Sequence, residues 1–141
     1  MNPFVNPKKR GFLLPKGCKD LIDVLQSPAE KAGDPILTFT RLMLLQAEGV
    51  GATEILIPAP MIHEGECTIT QRIGSTFDHV STVPADVREG VVKLLLQMAG
   101  LFQKQFPVAG TAILRLKHRL LKWNIRIDSA GADCVLTPSD D

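Results

Sequence analysis

Long apolar runs are missing from this chain of 141 residues. Stretches such as 91–92 and 94–96 end far short of the roughly 20 residues that carry a helix across a bilayer. A strong net charge is missing as well. Sixteen Lys and Arg against fifteen Asp and Glu leave +1, so the molecule as a whole has no field to draw in nucleic acid or an anionic membrane. Any polyanion site would have to be local. Cysteine is scarce: Cys18, Cys67 and Cys134 are odd in number and widely spaced, which argues against a disulfide framework and offers no Cys-x-x-Cys metal pair. Residues 1–10 lack the apolar stretch of a secretory signal, so a cytoplasmic protein with reduced thiols is expected. A phosphate-binding Gly-x-x-x-x-Gly-Lys-Ser/Thr loop is absent, and so is Gly-x-Gly-x-x-Gly. The nearest run, Gly49-Val50-Gly51, lacks the third glycine and reads as a helix stop.

What is present is ordinary globular usage, 45% hydrophobic and 22% charged, which suggests neither a disordered tail nor a fibrous repeat. This length predicts one domain that buries roughly two-thirds of its unfolded surface. Residues 1–35 read as a flexible arm with Lys8, Lys9 and Arg10, a short helix over 19–25 and a linker. A helix is predicted over 36–48, with Ile36, Phe39, Met43, Leu44 and Ala47 on its apolar side and Gly49 and Gly51 ending it. A strand over 54–57 follows, halted by Pro58 and Pro60. Alternation from Cys67 to Ile73, a Gly74-Ser75 turn and a run over 76–80 predict a hairpin. The next helix starts at Pro84, buries Val87, Val91, Leu94, Leu95, Met98 and Leu101, and ends at Gly100. Ala112, Leu114 and Leu116 alternate with Ile113, Arg115 and Lys117; Leu121, Trp123, Ile125 and Ile127 alternate with Lys122, Asn124, Arg126 and Asp128. His118 and Arg119 form the turn between these two runs, and 134–136 adds a short strand before an acidic tail over 138–141. The expected fold is α+β: a two-layer, mostly antiparallel sheet with helices packed on one face.

Three groupings have chemical content. His63-Glu64-Gly65-Glu66-Cys67 offers imidazole, carboxylates and a thiol, yet on a turn and strand start they alternate in direction, so the segment reads as a solvated loop rather than a metal site. Cys67 with His63 or His79 as base and Asp78 as orienter would suit a thiol nucleophile, but Cys67 occupies an alternating core position, and a buried inert thiol is the reading adopted. Arg115, Lys117, His118, Arg119, Lys122 and Arg126 gather around the last hairpin near Trp123. Phosphate contact is conceivable there, although Trp123 shares the apolar face and reads as core rather than a base-stacking platform.

Four segments, taken in order, carry a resemblance. The run from Gln46 through Gly49, Gly51, Ala52, Thr53-Glu54 and Ile55 to Pro58 is similar to an Ala-(several)-Gly-Ala-Ser-Asp-Ile-His-Ile-Glu-Pro pattern, with Thr53-Glu54 where Ser-Asp is usual. Thr70-Gln71-Arg72-Ile73-Gly74-Ser75 resembles Tyr-Arg-Ile-Asp-Gly, residues 91–101 ending Gln97-Met98-Ala99-Gly100-Leu101 resemble a helix ending Lys-x-Met-Ala-Gly-Leu, and Trp123-Asn124-Ile125-Arg126-Ile127-Asp128 resembles Asp-Leu-Arg-Val-Ser. Over 36–137 the chain thus resembles the domain that precedes the motor in the type II secretion and type IV pilus assembly ATPases.

That resemblance implies a PAS-like α/β fold and, in the family, arginines that reach the phosphates of the adjoining motor. Two of those positions are Gln105 and Thr111 here, while Arg72 and Arg126 remain as phosphate-contact candidates. No Walker loop or acidic box is present, so a non-enzymatic, stand-alone relative without cofactor or metal is expected, acting as an adaptor or regulatory module. Its expected partner is a protein, such as a secretion or pilus ATPase or another component of that system, with Arg115, Lys117, Arg119 and Lys122 as the interaction surface. A PAS-like sensor of a nucleotide or metabolite is the alternative. The last hairpin could also pair with a second copy.

Overall fold

The structure, a computed structural model, describes residues 34–59, 65–101 and 105–139. The basic arm, the helix expected over 19–25, His63-Glu64 and the final Asp140 and Asp141 lie outside the described residues.

Helix α1, Pro35–Gly49, starts where the sequence supplies both of its signals. The Asp34 carboxylate accepts from the Leu37 N–H at 3.2 Å, and Pro35 fills the first turn, where its missing N–H costs nothing. The helix ends in a paired bond pattern. The N–H of Gly51 donates to Glu48 O at 3.2 Å and that of Ala52 to Ala47 O at 2.9 Å, with Gly51 at φ +72. Helix α2, Ala85–Met98, ends in the same way: Gly100, at φ +71, donates to Gln97 O at 3.0 Å and Leu101 to Leu96 O at 2.8 Å. Only glycine takes the left-handed conformation cheaply, which is why both stops were legible as Gly in a sequence context.

The strands are β1 Glu54–Ile57, β2 Glu66–Ile73, β3 Thr76–Pro84, β4 Val108–Arg115, β5 Leu120–Ile127 and β6 Cys134–Pro138. They form one sheet in the order β3-β2-β1-β6-β5-β4, with every pairing antiparallel. The short β1 lies at the centre. Its Ile55 and Ile57 are fully buried, and they meet Phe39, Met43, Leu44 and Ala47 of α1 and Val91 and Leu95 of α2 in one core with Ile69, Trp123, Ile125 and Leu136. Both helices therefore cover the same face of the sheet. The fold is α+β in two layers, as the element pattern led one to expect.

Several boundaries differ from the sequence reading. β3 continues beyond Val80 to Pro84 because a bulge between Ile69 and Thr70 lets the strand resume pairing, Ser81 opposite Ile69 and Val83 opposite Cys67. Pro84 ends that strand and caps α2 instead of opening it. β4 begins at Val108, ahead of Ala112. On α2 the residue that is buried with Val91 and Leu95 is Arg88, not Leu94.

Candidate interaction surface on the uncovered sheet face

Strand alternation sends every second side chain away from the helices. The strand registers align these outward residues in rows. Phe77 faces Arg72 and Arg72 faces Glu54; on the other half, Thr137 faces Asn124 and Asn124 faces Thr111. A second row carries His79 with Thr70 and Val135 with Arg126 and Ala109. Between them lies a shallow concavity of about 620 Å³ lined by Glu54, Thr111, Asn124, Arg126, Val135 and Thr137, among others. On the helix side, by contrast, the side chains of Trp123, Phe39, Met43, Leu95 and Ile125 fill the space between the layers.

The two phosphate-contact candidates share this face but are not brought together. Arg72 on β2 and Arg126 on β5 are separated by β1 and β6, a span of three strand spacings or roughly 14 Å. Each is already engaged: the Arg72 guanidinium lies 5.5 Å from the Phe77 ring centroid and its Nε donates to Gly74 O at 3.3 Å. Arg126 Nε stands 3.4 Å from Asp128 Oδ1. Glu54 is level with Arg72 on the adjacent strand and would repel a phosphate placed there. Neither of the substituted positions supplies a cation: Gln105 is exposed before β4, and the Thr111 hydroxyl donates to Asn124 Oδ1 at 3.0 Å.

The hairpin cations divide. Arg119 turns back to α1, its Nη1 3.1 Å from Glu48 Oε2, and Lys117 and His118 stand exposed in the turn, which the Leu116 N–H closes by donating to Arg119 O at 2.8 Å. Arg115 and Lys122 lie on the uncovered face. There Arg115 is opposite Leu120, and Lys122 is opposite Ile113. Leu120 is 45% exposed, Ile113 37% and Phe77, near the other edge, 54%; these are large apolar side chains that the fold leaves in water.

Among the described residues the geometry assembles no reactive constellation; His63, the other candidate base, lies outside them. Cys67 faces the helices whereas His79 faces outward, where its Nε2 is 3.1 Å from Thr82 Oγ1 and that hydroxyl is 3.1 Å from Thr68 Oγ1. His79, the described one of the two candidate bases, and the thiol are thus on opposite sides of the sheet. Burial pushes the Cys67 thiol up, opposed in part by the charge of Arg88 and a hydrogen bond from it. Burial likewise pushes Cys134 up to about 12, again against the charge of Arg88. Both thiols stay protonated at neutral pH. Among the described residues no three His, Cys, Asp or Glu side chains gather to hold a metal.

The raised thiol has a consequence for stability. A folded state that holds its proton more tightly than the unfolded chain contributes stability that is complete below the ordinary thiol pKa and is lost as pH rises from about 9 towards about 12. Denaturation midpoints of the native chain and Cys134→Val, followed through that window, should converge or cross, their stabilities changing relative to each other by up to about 1.4 kcal/mol per pH unit. Parallel curves would show that Cys134 is not the group responsible.

Sequence reasoning missed Arg88, which is 7% exposed. Its Nε donates to Pro58 O at 2.7 Å and its Nη2 to Ala132 O at 2.8 Å, while Cys67 Sγ donates to the same Pro58 O at 3.3 Å. The signal was present: Arg88, Val91 and Leu95 stand at i, i+3 and i+7, one stripe of the helix.

In comparisons with known proteins, no family model and no curated protein matches this chain. Among the described residues no helix is long and apolar enough to cross a membrane.

Proposed function

We propose that this domain is a non-catalytic protein-binding adaptor or regulatory module, related to the domain that precedes the motor in type II secretion and type IV pilus ATPases, and that it docks a component of such a system. The observation that carries the reading is the sheet face that no described helix covers, where Phe77, Ile113 and Leu120 are exposed among Arg72, Arg115 and Lys122. Ile113 and Leu120 are diagonal neighbours on adjacent strands, between Lys122 and Arg115, and adjoining exposed apolar side chains rimmed by cations suit a protein interface. The segments that carry the family resemblance also occupy connected positions: the end of α1 and β1, the β2 turn, α2 with its cap, and β5. Burial keeps Cys67 and Cys134 protonated, which favours binding over chemistry at these two thiols.

Affinity capture from the producing cells, with a photo-cross-linking residue at Asn124, tests this directly. A secretion or pilus component should be recovered with the native surface. Ile113→Asp combined with Leu120→Asp should reduce that recovery by at least about tenfold, as expected where contacts worth about 1.4 kcal/mol are lost. If the recovered proteins are the same with and without the two substitutions, the reading fails.

A further inference from the structure

The two edges of the sheet are not built alike. β3 carries the bulge between Ile69 and Thr70 and finishes in Pro84. These features twist and end an edge. β4 has none of them. Its eight residues pair with β5 in unbroken register from Val108↔Ile127 to Arg115↔Leu120, without an internal proline, bulge or lysine. Among the described residues β5 is its only strand neighbour. The outward N–H and C=O groups of β4 therefore form a template for one more strand.

Side chains at the same edge state what that strand should carry. On the uncovered face the corner of β4 and β5 is a checkerboard in which Arg115 faces Leu120 and Ile113 faces Lys122. Arg119, next to it, is neutralised by Glu48, but no ion pair is formed by Arg115 or Lys122 among the described residues. A second copy paired β4 to β4 does not satisfy that corner. The β4 sequence, Val-Ala-Gly-Thr-Ala-Ile-Leu-Arg, contains no acid, so every antiparallel register of β4 against itself leaves Arg115 without a carboxylate. We infer that β4 receives an extended segment of a partner protein, with an Asp or Glu beside Arg115 and apolar side chains beside Ile113 and Leu114. The inference rests on the protein-binding reading above and narrows it to one edge, one backbone mode and one charge.

The full chain can be tested with an immobilised library of eight-residue peptides in which one or two Asp or Glu flank Val, Ile, Leu or Phe. A matched library with Lys or Arg in place of the acids, and a single-stranded oligonucleotide, serve as the other arms. Acidic peptides should be selected, their binding should weaken with salt, and in hydrogen exchange the bound peptide should slow the amides of β4 while leaving those of β3 unchanged. Arg115→Glu with Lys122→Glu, both outward-facing and compatible with the fold, should lower acidic-peptide binding by about tenfold or more and raise binding of the basic library. Equal binding of both libraries, preference for the oligonucleotide, protection confined to β3, or a dimer protected at β4 that excludes the peptides would each overturn the inference. Partner capture that depends on Ile113 and Leu120 but leaves β4 amides unprotected would overturn it while the broader reading stands; loss of both would remove the two together.

Discussion

Trp123→Ala should bring the domain close to unfolding at ambient temperature. Trp123 is 2% exposed and is the largest fully buried side chain in a core that also contains Phe39, Met43, Ile55 and Leu95. It sits on β5 opposite Ala112 of β4, so its ring fills space for which the neighbouring strand supplies almost no volume. Neither an alanine there nor the Ala112 beside it can close the gap, and truncation of a large aromatic in such a setting costs about 3–5 kcal/mol. That is a large share of the roughly 5–15 kcal/mol by which domains are stable. Thermal melting followed by circular dichroism should show a midpoint lowered by about 10–20 °C. Arg126→Ala, on the same strand but facing water, should change stability by no more than the ~0.5 kcal/mol typical of an exposed site, and the midpoint correspondingly little. If the two variants melted alike, Trp123 would not be the centre of the core. The competing reading, an aromatic platform for nucleic-acid bases, requires an accessible ring, and this ring faces the helices.

What the sequence disclosed was mostly what is local. Both helix stops, the Gly74-Ser75 turn and the alternation in β5 depend on residues within a few positions of one another, and all are in the structure. The central place of β1 depends instead on pairings with β2 and with β6, some 80 residues apart in sequence, and no short pattern encodes them. The bulge hid the second half of β3 because it interrupts the period of two on which strand recognition rests. Ala109 and Gly110 hid the start of β4, having little strand preference of their own. At the surface, alternation correctly put Ile113 with Arg115 on the polar side, but it could not show that Leu120 and Lys122 would complete a mixed corner there. Nor could it show that Arg72 and Arg126 stand on separated strands, since that follows from strand order alone.

Arg88→Met should destabilise the domain by about 2–4 kcal/mol, although the substitution keeps an apolar stem on an apolar stripe. A long cation in this position costs desolvation, and what compensates is a pair of charge-assisted hydrogen bonds to backbone carbonyls, Pro58 O at the exit of β1 and Ala132 O before β6. No carboxylate lies within ion-pair distance of it among the described residues, so the two carbonyls take the place of a counter-ion. The methionine would leave those two carbonyls facing a thioether. Pro58 O would retain only the weak Cys67 thiol as donor, at 3.3 Å. Hydrogen exchange distinguishes this fastening role from plain packing: the segments at 58–59 and 132–133, where Ala59 N–H also donates to Asp133 Oδ1 at 2.8 Å, should open faster than α2 itself. Arg88→Lys should fall between the two, because a single ammonium on a flexible stem reproduces the charge but not the fork that reaches both carbonyls. A second effect separates charge from packing. The Arg88 charge opposes the upward push of burial on both Cys67 and Cys134, so Arg88→Met should raise both thiols further and carry the alkaline loss of stability to higher pH, whereas Arg88→Lys should not. Equal stability of all three proteins would mean that α2 holds the ends of β1 and β6 by apolar contact alone.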